Sequence, residues 1–193
     1  MITTPSQWEN ESGHLLPTTL HTVEEFEEWQ RQHVTAGSFE FVRGRIIPKE
    51  SMKQDEVYIA NFLLRNFVQT IYFNKGDVLM PETDSYVDGF RKRVPDLTYF
   101  TAEQLQAIRR GERIKTAFAI EILSDSETHE DVLDKVQDYF DGGALLVWYI
   151  VPKRQKIYVY TSPDESKAYK GTDIISAAPV APDFQFKLAD LFA

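Results

Sequence analysis

Arg93-Val94-Pro95-Asp96-Leu97-Thr98-Tyr99 and Ala119-Ile120-Glu121-Ile122-Leu123-Ser124 decide how this chain is read. Each sets one carboxylate inside a segment that otherwise has the composition of a buried strand. Taking an unpaired carboxylate out of water costs several kcal/mol or forces a proton onto it. Two such residues on neighbouring strands repel each other, and a divalent cation between them offsets both costs. The pair therefore points to a metal site, and to a hydrolytic one. Strand alternation puts Val94, Asp96 and Thr98 on one face, and Ala119, Glu121 and Leu123 on one face of the next strand. Hard oxygen ligands without His or Cys suit Mg²⁺ or Mn²⁺ better than zinc. Such an ion polarises a phosphoryl oxygen and lowers the pKa of an attacking water.

A cation is the natural third member of such a site. The helix expected over residues 131–141 buries Val132, Leu133, Val136, Tyr139 and Phe140, which leaves Lys135 on the rim of that stripe. The helix follows the Glu121 strand directly, so Lys135 is expected near the strand's end. Gly142-Gly143 stops the helix, and residues 145–151 are an unbroken apolar run, the pattern of a strand covered on both faces. Residues 156–161 return as its hairpin partner.

Upstream, Thr22-Val23-Glu24-Glu25 has the form of a capping box and predicts a helix to about residue 33. Ser38-Phe39-Glu40-Phe41-Val42, then Arg43-Gly44, then Arg45-Ile46-Ile47 predicts a β-hairpin. Residues 55–73 have a helical period and too many apolar positions for a narrow stripe. Residues 78–80 and 85–87 are short strand candidates, residues 101–111 a short helix, and residues 188–192 a helical turn. Strands and helices intermix without strict alternation, which predicts an α/β (α+β) fold with a mixed sheet flanked by helices. Residues 1–20 form a polar lead-in and residues 21–193 a single domain, with no linker to divide it.

Composition sets outer limits. The 193 residues are 42% hydrophobic and 13% aromatic, enough for a sizeable core. A formal net charge of −9 excludes a generally basic coat for nucleic acid, though a local basic patch can still dominate the near field. The chain has no cysteine, so thiolate metal sites are excluded. No apolar run approaches the roughly 20 residues that span a bilayer. A cytoplasmic protein without membrane contact is expected. His14, His21, His33 and His129 show no ligand spacing.

These residues, in this order, resemble the PD-(D/E)XK superfamily. The nearest likeness is to a family of bacterial restriction-endonuclease-like proteins of about this length. Phe39-Glu40-Phe41-Val42-Arg43-Gly44-Arg45 is similar to that family's aromatic–Glu opening. Val94-Pro95-Asp96 resembles its Pro-Asp strand, and Glu121-Ile122-Leu123-Ser124 its Glu–X–X–Ser element. Lys135 to Tyr139, Gly143 and Val147-Trp148-Tyr149-Ile150-Val151-Pro152 resemble its Lys–X3–Tyr helix and Trp-bearing strand, and Phe186, Leu188 and Phe192 its close. The resemblance covers residues 20–193. It implies a restriction-endonuclease-like fold, DNA as substrate, and a homodimer as a compatible assembly for double-strand cleavage.

In the simplest superfamily pattern a lysine stands where this chain has Leu123, so the role passes to Lys135. Where the family often has a His at the start of the long helix, this chain reads Gln54-Asp55-Glu56. The expected site is thus Asp96, Glu121 and Lys135 as catalytic residues, with Asp96, Glu121 and the Ile122 carbonyl as metal ligands. Glu40 and Glu56 would line it. Arg91, Lys92 and Arg93, with Arg109, Arg110 and Arg113, would hold DNA phosphates.

Structural readings stand beside these. Asp96 would bond a neighbouring backbone N–H, Glu121 would pair with an arginine such as Arg93, Glu40 with a basic residue, and Glu56 would cap its helix. Two other functions compete with a metal-dependent endonuclease. One is a nuclease fold whose site has decayed into a binding or assembly module, favoured by Leu123 and the acidic charge. The other is a metal-dependent phosphoesterase acting on small nucleotides.

Overall fold

The computed structural model describes residues 19–32, 38–123 and 127–193. The lead-in through residue 18, His14, His33 and the polar loop Ser124-Asp125-Ser126 lie outside the described residues.

Helix α1 (Val23–Gln32) starts at the expected capping box. The Thr22 hydroxyl accepts the Glu25 N–H at 3.2 Å, and the Glu25 carboxylate accepts the His21 and Thr22 N–H groups. Strands β1 (Ser38–Val42) and β2 (Arg45–Lys49) form the expected hairpin. Its turn residues Arg43 and Gly44 have φ of 48° and 84°. Positive φ at both positions matches the twist of paired strands, which is why glycine serves there.

The long helix expected over residues 55–73 is broken in two. Helix α2 (Gln54–Phe67) ends, and α3 (Ile71–Asn74) begins anew. Thr70 makes the break: its hydroxyl donates to the Phe67 carbonyl at 2.7 Å and accepts the Phe73 N–H at 3.1 Å. A short hydroxyl side chain competes for backbone groups and so favours a cap over a helix interior.

Strands β3 (Val78–Pro81), β4 (Ser85–Asp88), β5 (Arg91–Arg93) and β6 (Leu97–Phe100) follow, then helix α4 (Ala102–Arg109). Strand β7 (Phe118–Ile122), helix α5 (His129–Asp141) and strand β8 (Leu146–Val151) form a crossover unit. Strands β9 (Lys156–Ser162), β10 (Glu165–Lys170), β11 (Ile174–Ala177) and β12 (Ala181–Lys187) and helix α6 (Leu188–Leu191) complete the described chain. The last three strands were not expected from the sequence. β10 is a polar, mostly exposed strand, and β12 carries a proline and an aspartate, so neither shows the usual strand pattern.

A six-stranded sheet has the order β10-β9-β8-β7-β6-β3, and a four-stranded sheet the order β2-β1-β5-β4. Only β7 and β8 pair in parallel in the larger sheet, which requires a helical crossover and places α5 on one face. There Val132, Val136 and Tyr139 pack on Ala119, Val147 and Tyr149. The other face carries the main core: Ile120, Trp148 and Ile150 against Leu63 and Phe67 of α2, Phe184 of β12, and Leu188 of α6. In the smaller sheet Phe41 stacks on Phe26 of α1, ring centres 5.2 Å apart.

Ion pairs join α5 to the smaller sheet. Arg93 bridges Glu40 at 2.7 Å and Asp138 at 2.6 Å, and all three are buried. Arg91 bonds Asp138, Asp141 and Asp88. Removing one partner from a buried pair leaves an uncompensated charge. Arg93→Met should therefore lower the unfolding free energy by about 3–5 kcal/mol in urea titrations. Arg110→Met should change it by less than about 0.5 kcal/mol, because the Arg110–Glu112 pair is more than half exposed at both ends. Burial pushes the Glu40 carboxyl up, but Arg93, Lys135 and the Val94 N–H hold it below its ordinary 4.5. Its contribution is thus present above pH 4.5 and is lost as the pH falls further.

Candidate active site

β6 and β7 pair antiparallel through Leu97↔Ile120 and Thr98↔Ala119. Continued by one residue, that register sets Asp96 opposite Glu121, and residues directly opposite share a face with side chains in reach. The two sequence stretches are therefore neighbours, and the Asp96 charge acts on Glu121. Pro95 just before Asp96 fixes φ where the chain passes from β5 to β6.

Both carboxylates are buried and both have partners. Asp96 Oδ2 accepts the Ile122 N–H at 2.6 Å, and Oδ1 accepts the Lys49 ammonium at 2.9 Å. Glu121, 2% exposed, accepts the Tyr139 hydroxyl at Oε1 and lies 3.5 Å from the Lys135 ammonium at Oε2. Lys135 and Tyr139 stand one helical turn apart on α5, so both reach β7. Lys135 also bonds Glu127 Oε1 at 2.7 Å, and the Tyr149 hydroxyl donates to the same oxygen at 3.2 Å.

The charges answer to this arrangement. Burial pushes the Glu121 carboxyl up to about 7, although Lys135 and Lys49 pull it down; Asp96 and Glu40 add to the rise. Burial pushes the Lys135 amine down, but Glu121, Glu40 and Glu127 outweigh it and hold the amine above its ordinary 10.5. Lys49 is raised in the same way by Glu121 and Asp96. Both lysines are charged at neutral pH, and the carboxylate that remains under-compensated is Glu121.

The other expected site residues fall elsewhere. Glu40 faces Arg93 and the Val94 N–H, one step from the pair, as a structural partner. Glu56 closes the capping box of α2, its carboxylate accepting the Lys53 N–H at 2.8 Å. Arg91, Lys92 and Arg93 are not free for phosphates. All three are buried in β5 with carboxylate partners, Lys92 through Asp84 at 2.9 Å. Arg110 and Arg113 pair with Glu112 and Glu27, and Arg109 is exposed. Glu121 pairs with Lys135, not with Arg93.

Sequence reasoning missed Lys49, Glu127 and the hydrogen-bonding role of Tyr139. Period-2 continuation of the hairpin past Ile47 would have reached Lys49, since Ile46 is buried and residues 47 and 49 alternate with it. For Tyr139 the signal was a hydroxyl on a helix's buried stripe, which must find a partner.

The donor chemistry suits a hard divalent ion. Among the described residues no three His, Cys, Asp or Glu side chains are arranged to hold a metal. Two adjacent carboxylates are nonetheless the usual protein share for Mg²⁺, which keeps several of its waters. An additional positive charge is also what the raised Glu121 carboxyl lacks.

A family model described as "Putative restriction endonuclease" (Uma2) matches residues 23–189. The chain belongs to that family. The fold is similar to a crystal structure of "a putative nuclease belonging to DUF820" from Anabaena variabilis ATCC 29413, with a TM-score of 0.75 and 21% identity over 89% of this chain and 97% of that one. A search of curated proteins gives no match. Among the described residues no helix is long and apolar enough to cross a membrane.

The raised Glu121 carboxyl has a consequence for stability. Its folded value of about 7 lies above its ordinary 4.5, so the fold favours the protonated form. That contribution is complete below pH 4.5 and is lost as the pH rises through 7. In the absence of divalent ions, Glu121→Gln should be more stable than the unsubstituted protein at pH 8, by up to about 3 kcal/mol, with the gap closing towards pH 5. Urea titrations at the two pH values measure it.

Proposed function

We propose that this protein is a divalent-metal-dependent nuclease that hydrolyses DNA phosphodiester bonds. The observation that carries the reading is the β6–β7 register, which sets Asp96 against Glu121 with the Lys135 ammonium beside them. Membership of a family described as "Putative restriction endonuclease" supports DNA as the substrate class.

Asp96, Glu121 and the backbone carbonyl of Ile122 would hold Mg²⁺ or Mn²⁺. When bound, such an ion supplies a polarised phosphoryl oxygen and a more acidic water. The chain's own residues do the rest. Ile122 fixes one Asp96 oxygen through its N–H, and Tyr139 fixes one Glu121 oxygen through its hydroxyl, so each carboxylate is oriented before substrate arrives. Lys135 stays protonated and presents a fixed positive charge to the phosphate, where negative charge develops in the transition state. Glu127 and Tyr149 hold the lysine's reach from the far side.

The test is cleavage of plasmid and linear duplex DNA with Mg²⁺ or Mn²⁺. Glu121→Gln and Asp96→Asn should reduce cleavage below detection while the circular dichroism spectrum stays unchanged. Lys135→Met should lose about 10²–10³-fold in rate, the scale for removing one preorganised charge-stabilising group. Undiminished cleavage by Glu121→Gln overturns the assignment. Hydrolysis of mononucleotides in place of DNA would move it to the small-nucleotide phosphoesterase reading.

A further inference from the structure

Lys49 is close to both carboxylates, and the proposed reaction does not use it. It arrives on β2, in the smaller sheet, while Glu121 lies on β7 of the larger sheet and Asp96 immediately precedes β6. Alternation along β2 directs it there: Ile46 turns into the core under α1, so residues 47 and 49 turn the other way. The Lys49 ammonium lies 2.9 Å from Asp96 Oδ1, and the two side chains are 10% and 9% exposed. Asp96 Oδ2 is already taken by the Ile122 N–H. Oδ1 is therefore the oxygen through which Asp96 would bind a cation, and a lysine holds it.

We propose that Lys49 is the internal counter-ion of the cation site, its ammonium occupying the Asp96 oxygen that a divalent ion needs and thereby setting how tightly that ion binds. The inference rests on Asp96 and Glu121 forming the cation site of the proposed function. Lys49 is a positioning residue, since it acts through Asp96. Its four-carbon stem is flexible, so the ammonium can leave Oδ1 without movement of β2. Until it leaves, an incoming ion meets a like charge within a few ångströms in a buried setting, where such repulsion is large. With Lys49 in place the Asp96 carboxylate stays compensated and oriented without metal.

The experiment is a calorimetric Mn²⁺ titration of the full chain, unsubstituted and as Lys49→Met and Lys49→Gln. Both variants should bind Mn²⁺ at least about tenfold more tightly than the unsubstituted protein, because the competing charge is gone. Without metal they should melt at a lower temperature, and saturating Mn²⁺ should raise their Tm by more than it raises that of the unsubstituted protein. Lys49→Arg, which keeps the charge, should not show the tighter binding. Equal or weaker Mn²⁺ binding by Lys49→Met and Lys49→Gln overturns the inference and leaves the nuclease reading standing. Tighter binding together with no cleavage of DNA by the unsubstituted protein sustains the inference and sinks the nuclease reading. Should neither the unsubstituted protein nor the variants bind Mn²⁺, both fall. The Gln variant decides if the Met variant fails to fold.

Discussion

Glu121 is buried, so most of any charge it carries must be balanced from within the protein. The answer comes from two directions. Lys135 and Tyr139 reach it from α5, and Lys49 approaches from the other sheet, while Asp96 across the β6–β7 register adds a like charge. Each requires a separate piece of topology. The parallel β7–β8 pair demands a crossover, and the crossover helix is the one that carries the lysine. The hairpin of the smaller sheet must stand close enough to Asp96 for a lysine side chain to cross over. One buried carboxylate thus ties together α5 and both larger sheets.

The basic residues of the chain show the same logic. In a protein with a net charge of −9, Arg91, Lys92 and Arg93 look like a ready phosphate patch. In the fold they are structural. Arg93 spans Glu40 and Asp138, Arg91 gathers three aspartates, and the Lys92 ammonium lies 5.1 Å above the Phe26 ring. The pairs that Arg91 and Arg93 make with Asp138 and Asp141 dock the smaller sheet against α5. A cation whose neighbours are buried carboxylates is held by them far more strongly than an exposed one, because screening is weak there. Such residues hold together the elements that carry Asp96, Glu121 and Lys135.

How far the sequence could be read follows from what each signal measures. Period-2 alternation placed Asp96 and Glu121 on matching faces, because alternation is a local property of a strand. The capping box at Thr22 and the Arg43-Gly44 turn were legible for the same reason. Partner choice is not local. Nothing in the segment around Arg93 shows whether it faces solvent, Glu121 or Asp138; that depends on how β5 sits against α5. Lys49 was within reach of the alternation along its hairpin strand, but alternation gives a face and not the partner, Asp96, on a distant segment. The break at Thr70 was hidden because a hydroxyl that caps and one that sits mid-helix look alike in sequence.

Stability and chemistry pull against each other at this centre. A core that served only folding would place an apolar residue at 121, since a buried carboxyl pushed up to about 7 disfavours the folded state at higher pH. The chain instead surrounds Glu121 with two lysines and a tyrosine and still leaves it short of positive charge. Each partner also fixes a geometry: the Ile122 N–H and the Tyr139 hydroxyl leave one oxygen on each carboxylate for another cation. On Asp96 that oxygen is held by Lys49, and on Glu121 it faces Lys135 at the longer distance of 3.5 Å. The remaining deficit is at Glu121, and under the proposed function it is what a divalent ion would offset.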